Sequence, residues 1–269
     1  MAIRARTRNS LDFKPMMENE VEPGFTSFPF KIQRVDCQGP SGPRRDSLMQ
    51  LVMGLGNPGR RYAKTRHNIG FMCLDEVAAR LGLTFSQDTD EYLIARGNGP
   101  AGPVTLLKPQ TYMNLSGEAL TVWSQRTGLT VGETVTAEIS EAEDPVVPPD
   151  VVPLVVCDDL HLPLGSVRIR ARGSAGGQNG LASVIEHAHG PGVPRLRLGV
   201  GPRQDELDPE TWADYVLEDF TAEEQGDLED LIQRSGEALL AMLDLGPEQA
   251  GARFNRRIRR ERDLPEADA

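Results

Sequence analysis

His67, Asp158, Asn57, Asn114 and Asn179 are the residues of this chain whose types and placement best suit chemistry. Each follows an apolar run that reads as a β-strand. Asn57 and His67 come after "LVMGL", Asn114 after "VTLLKP", Asp158 after "VVPLVVC" and Asn179 after "SVRIRAR". In open α/β sheets ligands bind beyond the carboxyl ends of strands, so these side chains could converge on one crevice. A histidine beside a carboxylate is a general base whose ring is oriented and whose cation is stabilised. A helix beginning just after His67 favours the neutral ring and keeps it available as a base. Asparagines add fixed donors for a carbonyl and an acceptor for a water. No serine or cysteine stands out as a nucleophile, and no metal-ligand spacing occurs. The set reads as a water-activating, hydrolytic centre. Plain roles stay open for each member: His67 as a helix-capping ring, Asp158 and Asp159 as strand-end residues, Asn57 as part of an Asn-Pro-Gly turn. His161, His187 and His189 have no such context and read as surface or loop residues. Trp123 and Trp212 read as packing residues, and Cys157 as an inert thiol closing a buried strand.

The loop that carries Asn57 spells Gly54-Leu-Gly56-Asn-Pro-Gly59, a G-x-G-x-x-G string. A dinucleotide site needs a helix to start inside that string, so that its N-terminus meets the pyrophosphate. Here Pro58 and "GRRYAKTRHN" follow instead, and helical period begins only near Asn68. The acidic pair Asp75 and Glu76 falls inside that helix, not at the end of a second strand. These glycines read better as residues that let the backbone turn tightly and expose the side chains between them.

The elements that must position this set alternate. Strands are expected at "LVMGL", "YLIARG", "VTLLKP", "VVPLVVCDD", "SVRIRAR" and "RLRLGVG". Helices are expected at "NIGFMCLDEVAARLGL", with Asn68 as its N-cap, at "SGEALTVWSQRTG", with Ser116 as its cap and Gly128 at its end, and at "QNGLASVIEHA". One or two amphipathic helices follow within "TAEEQGDLEDLIQRSGEALLAML". This pattern predicts an α/β fold: a single domain with a central mixed, mostly parallel twisted sheet flanked by helices, in a phosphorylase/hydrolase-like layout.

Around this domain, composition marks additions. Residues 1–48 carry Pro, Gly and mixed charge without period and read as a poorly ordered extension. Met49 is a natural domain start, and a translation start there is one reading. Residues 132–150 form an acidic, Pro-rich insertion, the domain runs over 49–258, and 259–269 is a flexible tail. No window holds the roughly 18 consecutive apolar residues of a membrane span. The basic N-terminus lacks an apolar stretch, so no secretory signal is expected. Cys37, Cys73 and Cys157 stand far apart, which points to a reduced, cytoplasmic setting.

A net charge of −11 argues against nucleic-acid binding by the whole surface. The arginines, however, are gathered. In "SVRIRAR" Arg168, Arg170 and Arg172 share one strand face, and in "PRLRLGVG" Arg195 and Arg197 alternate with Leu196 and Leu198. Such a stripe favours phosphate through bidentate contacts.

Taken in order, "GLGNPGRRYAKTRHNIG", "LLKPQTYMNLSG", "CDDLHLPLGSVRIR", "GSAGGQNGLASVIEH" and "RLRLGVG" resemble bacterial peptidyl-tRNA hydrolase, over roughly residues 51–258. The resemblance implies hydrolysis of the ester between a peptide and the 3′-terminal ribose of tRNA, by a monomer with a mixed sheet and no cofactor or metal. It implies that His67 activates water, that Asp158 holds and polarises it, that Asn57 contacts the peptide part and that Asn114 positions water or substrate. It further implies that Tyr62, Tyr112, Met113 and Asn179 line the site and hold the 3′ end, while Arg168, Arg170 and Arg197 grip tRNA phosphates. The family often has Phe where Tyr112 stands, His where Gln178 stands and an acidic residue where His161 stands; these departures bear on fine tuning and not on the reaction. A non-catalytic RNA-binding protein on the same fold and a nucleotide-dependent oxidoreductase are the competing readings.

Overall fold

A computed structural model describes residues 49–132, 150–202 and 208–255. The extension 1–48, most of the acidic insertion and the C-terminal tail lie outside the described residues. Seven strands form one sheet: β1 (Gln50–Gly54), β2 (Ser86–Gln87), β3 (Tyr92–Gly99), β4 (Gly102–Pro109), β5 (Pro153–Pro163), β6 (Val167–Arg170) and β7 (Arg195–Gly201). Their order is β2-β3-β4-β1-β5-β7-β6. The central four, β4-β1-β5-β7, pair parallel, whereas β2-β3, β3-β4 and β7-β6 pair antiparallel. The sheet is therefore mixed and open, as the alternating pattern predicts. The short edge strand β2 carries no apolar period and is not visible in the sequence.

Among the described residues six α-helices cover the sheet: α1 (Ile69–Leu81), α2 (Ser116–Thr127), α3 (Asn179–His187), α4 (Trp212–Leu217), α5 (Gln225–Leu245) and α6 (Pro247–Phe254). Because side chains alternate along a strand, each central strand feeds two cores. Val52 and Val156 pack with Leu74, Val77 and Leu239 on the α1/α5/α6 side. Leu51, Met53 and Val155 pack with Leu120, Trp123, Leu181 and Val184 on the α2/α3 side. Gly82 and Gly128 end α1 and α2 in the left-handed conformation, which costs glycine least.

Two glycines set where α1 begins. A β-carbon on Gly70 would lie 2.5 Å from the Leu55 carbonyl oxygen and 2.6 Å from that of Val156; one on Gly54 would lie 2.6 Å from the Gly70 oxygen. A β-carbon on Gly56 would lie 2.9 Å from the Phe71 ring. The first two glycines of the G-x-G-x-x-G string thus let a helix press against the sheet. Of the acidic pair, Asp75 holds Lys108 and Glu76 pairs with Arg80 at 2.6 Å.

Two expected caps differ in detail. Asn68 precedes α1 but its side chain does not cap it; it bonds the backbone of Asn57 instead. Ser116 is the first residue inside α2, and its hydroxyl donates to the Met113 carbonyl at 2.8 Å.

Candidate active site

The close seat of α1 carries the 3-10 turn Arg66–Asn68, and with it His67, to the carboxyl end of β1 beside the middle of β5. There His67 Nδ1 lies 2.9 Å from Asp158 Oδ2. An ionised carboxylate only accepts, so Nδ1 bears the proton and the Nε2 lone pair is the basic site of the ring. Burial lowers the His67 pKa, but the charge and hydrogen bond of Asp158 outweigh it, so the net shift is upward. Asp158 is itself buried, within β5 rather than after it. Beside it, burial pushes the pKa of the Cys157 thiol up, which favours its protonated form.

Three loops bring amides to the same place. Asn57 Oδ1 accepts from the Met113 backbone N–H at 2.9 Å, which leaves Nδ2 as the donor end of that amide. Asn114 lies on the 3-10 turn Met113–Leu115 after β4, and Asn179 is the first residue of α3. Between them Gln178 donates to Asp158 Oδ1 at 2.9 Å and accepts from Leu181 N–H at 2.6 Å. A cleft of about 580 Å³ opens over this group. Asn57, His67, Tyr112, Met113, Asn114, Asp158, Asn179 and Arg197 all line it. Tyr112 stands at its rim, 63% exposed. Tyr62 does not line it; Arg61 stacks on the Tyr62 ring at 4.3 Å.

The route to Asn179 differs from the expected one. β6 runs antiparallel to β7, so Arg170 pairs with Arg195 at the end away from the cleft. The loop after β6 then doubles back along β7. Gly173 lies against Arg195 and Gly176 against Arg197, and the loop ends at Gln178.

This return covers part of the arginine stripe. Arg195 is buried and donates to the carbonyl of Gly173 at 2.7 Å. Arg197 pairs with Asp159 Oδ2 at 2.9 Å on the cleft wall. Arg168 and Arg170 remain exposed on the edge strand, outside the cleft. Only part of the stripe therefore presents guanidinium groups to solvent. The alternation along β7 was legible, but the loop that folds over it was not.

The opposite wall is α4. Trp212, Val216 and Leu217 line the cleft from it, and Trp212 meets the His161 ring edge-on at 5.1 Å. His161, exposed as expected, belongs to β5, and Trp212 packs against it as expected; both also line the cleft, which their sequence context did not show. Arg66, next to His67, fastens this wall. It is buried, pairs with Glu224 at 2.8 Å, stacks over Tyr215 at 4.2 Å and takes the Glu218 carbonyl on its backbone N–H at 3.0 Å. Among the described residues no three His, Cys, Asp or Glu side chains gather as a metal's ligands would, and no helix is long and apolar enough to cross a membrane.

Chemically, a neutral imidazole held by a buried carboxylate can take a proton from water, and the surrounding amides can fix a carbonyl beside it. Comparison with known proteins gives this geometry a family. The family model for peptidyl-tRNA hydrolase matches residues 51–262. The chain belongs to the peptidyl-tRNA hydrolase family. A curated peptidyl-tRNA hydrolase of Chlorobaculum tepidum is 39% identical over 215 residues, covering 78% of this chain and all of that one. One from Chloroflexus aurantiacus is 41% identical over 210 residues, covering 77% of this chain and 99% of its own. The crystal structure of peptidyl-tRNA hydrolase from Acinetobacter baumannii superposes with a TM-score of 0.62 at 31% identity, over 78% of this chain and 95% of that one. Two signals could have revealed more of the site from sequence. Gln178 directly precedes Asn179 at a helix start, where a side-chain acceptor is wanted. Arg66 directly precedes His67.

Proposed function

We propose that this protein hydrolyses the ester bond that joins a peptide, or an N-blocked aminoacyl group, to the 3′-terminal ribose of tRNA. The observation that carries this reading is the 2.9 Å contact between His67 Nδ1 and Asp158 Oδ2 in a cleft lined by Asn57, Asn114 and Asn179, in a chain of the peptidyl-tRNA hydrolase family. His67 is the base and takes a proton from water at Nε2. Asp158 holds the ring and stabilises the imidazolium that forms. Asn57, its Oδ1 committed to Met113, offers Nδ2 to the peptide part. Asn114 positions water or substrate. Tyr112, Met113 and Asn179 hold the 3′ end, with Tyr62 further out. Arg168, Arg170 and Arg197 draw tRNA phosphates to one face of an otherwise acidic protein. The reaction needs no cofactor or metal. We further assign the catalytic unit to residues 49–258, acting as a cytoplasmic monomer, with 1–48 and 132–150 dispensable for turnover.

The test is to incubate the purified protein with N-blocked aminoacyl-tRNA and with the matching unblocked aminoacyl-tRNA. Release from the blocked substrate alone, lowered at least about 10²-fold in His67→Ala, is the expected result. Tight, salt-sensitive tRNA binding without release would mean instead that the fold serves as an RNA-binding module.

A further inference from the structure

Gln178 uses both ends of one amide. Its Oε1 accepts from the Leu181 backbone N–H at 2.6 Å and caps α3. Its Nε2 donates to Asp158 Oδ1 at 2.9 Å and lies 3.3 Å from the Met113 sulfur. The cap decides which end is which, because a backbone N–H can be met only by the oxygen. The NH₂ end must therefore face the carboxylate. Gln178 is buried, as is Asp158, and the other Asp158 oxygen accepts from His67. The carboxylate is thus held at both oxygens by partners on different elements.

We propose that Gln178 is a positioning residue for the hydrolysis: acting through Asp158, it fixes the carboxylate so that Oδ2 faces His67 Nδ1, and it moderates the hold of that carboxylate on the imidazolium. This rests on the reading of His67 as the base. A donated N–H stabilises the carboxylate's charge, which makes it a weaker attractor for a second cation. Without that donor, Asp158 draws His67 toward its charged form more strongly and is also free to turn. Turnover then falls for lack of alignment, and the base needs a higher pH to be neutral. The other titratable or charged groups on the cleft are Asp159 and His161 from β5, Arg197 from β7 and Tyr112 from the loop before α2. Asp159 is paired with Arg197 and accepts the His161 backbone N–H. Arg66, beside His67, is committed to Glu224. Gln178 itself brings no ionisation to the site.

Three variants of the full chain separate positioning from capping. Gln178→Leu removes donor and acceptor. Gln178→Glu keeps an acceptor for Leu181, and with it the cap, but when ionised cannot donate to Asp158. Gln178→His offers one ring nitrogen as acceptor and the other as donor. The readouts are the melting temperature, kcat and KM on N-blocked aminoacyl-tRNA across pH, and the His67 ring titration followed by NMR without substrate. We expect Gln178→Leu to lose about 10- to 100-fold in kcat with KM little changed. Its acid limb and its His67 titration should both move up by about half a pH unit. Where its new carboxyl is ionised, Gln178→Glu should lose as much kcat and melt lower through repulsion from Asp158, whereas Gln178→His should keep most of the wild-type kcat. The proposal is overturned if Gln178→His loses as much kcat as Gln178→Leu while melting like the wild type, or if the leucine variant loses activity only in step with its melting temperature while His67 titrates unchanged. If the wild type releases nothing from either tRNA, the hydrolase reading falls. The NMR titration then decides the link from Gln178 to His67 by itself: an unmoved titration in the leucine variant ends it.

Discussion

The side-chain amide of Asn68 closes on the backbone of Asn57 from both ends: Oδ1 accepts the Asn57 N–H at 2.8 Å, and Nδ2 donates to the Asn57 carbonyl at 2.9 Å. Asn57 passes the constraint on, since its own Oδ1 accepts from Met113 N–H at 2.9 Å. Two asparagines thereby tie together the loop after β1, the turn bearing His67 and the loop before α2. Asn68→Ala strands two buried backbone groups, each worth about 1–3 kcal/mol when unmet. We expect denaturant unfolding to show a loss of at least about 1 kcal/mol, and kinetics to show a lower kcat/KM. An unchanged unfolding midpoint would mean that the loop holds its shape without this clasp.

The pH dependence of stability and that of turnover should oppose each other. His67 titrates near 6.5 when unfolded, and its folded pKa is higher, the charge and hydrogen bond of Asp158 outweighing burial. The pair therefore contributes stability that is complete below about pH 6.5 and is lost as pH rises through the folded value. With His67 as the proposed base, turnover should need the neutral ring and fall as pH drops through that same value. In Asp158→Asn the acid limb should move to lower pH while kcat falls by at least about 10²-fold. Parallel pH–rate profiles of wild type and variant check both; a limb that stays in place would assign it to another group.

Arg66 joins the His67 turn to the α4 wall through Glu224, Tyr215 and the Glu218 carbonyl. Arg66→Ala removes a buried cation whose main partner, Glu224, is only partly exposed. We expect a loss of about 2 kcal/mol, discounted from the fully buried case. The KM for N-blocked aminoacyl-tRNA should rise more than kcat falls, because the wall loosens while His67 and Asp158 stay paired. Steady-state kinetics with the unfolding curve tests this, and a KM equal to that of the wild type would show the wall held by its other contacts.

Arg168 and Arg170 are exposed on the edge strand and lie outside the cleft. Their replacement by alanine should raise KM and leave kcat nearly unchanged. For each phosphate no longer neutralised, the slope of log(kcat/KM) against log salt should become shallower by about one. A titration of rate against salt reads the slope, and an unchanged slope would move the tRNA track elsewhere.

The parts of this molecule legible in its sequence are those dictated by short-range pattern. The apolar runs of β1, β4 and β5 and the left-handed glycine ends of α1 and α2 follow from period and backbone freedom. His67, Asp158 and the asparagines were legible because they lie at or near the ends of such runs. Illegible were relationships between segments far apart in sequence. That Gly54 and Gly70 exist for each other depends on a helix pressed against a sheet. That Arg195 turns inward depends on a loop folding back over it. Asn68 carries the residue type of a cap and stands at the cap position, yet its partner is Asn57, eleven residues earlier. Arg66 and the His161–Trp212 pair were missed because each acts through a contact across more than fifty residues of chain. Gln178 stood out only as a departure from the family; its contact with Asp158 was not legible because that partner lies twenty residues back, on a different element.

The described residues on either side of 133–149 meet in a narrow neck. Asp150 Oδ2 takes the Thr130 N–H at 2.8 Å and its hydroxyl at 2.9 Å, and Val151 exchanges backbone bonds with Thr130 and Gly132 at 3.1 Å. None of these four residues lines the cleft. The two ends of this segment are thereby held together, and the closure entropy of a loop changes only slowly with its length. The neck is thus an attachment port. A Gly-Ser bridge in place of 133–149, or a fluorescent protein spliced there, should leave melting temperature and turnover near those of the parent. Loss of turnover at unchanged melting temperature would instead give the acidic segment a part in handling substrate. If the port is inert, single molecules of the enzyme can be labelled or tethered to a surface there with the cleft left open to tRNA.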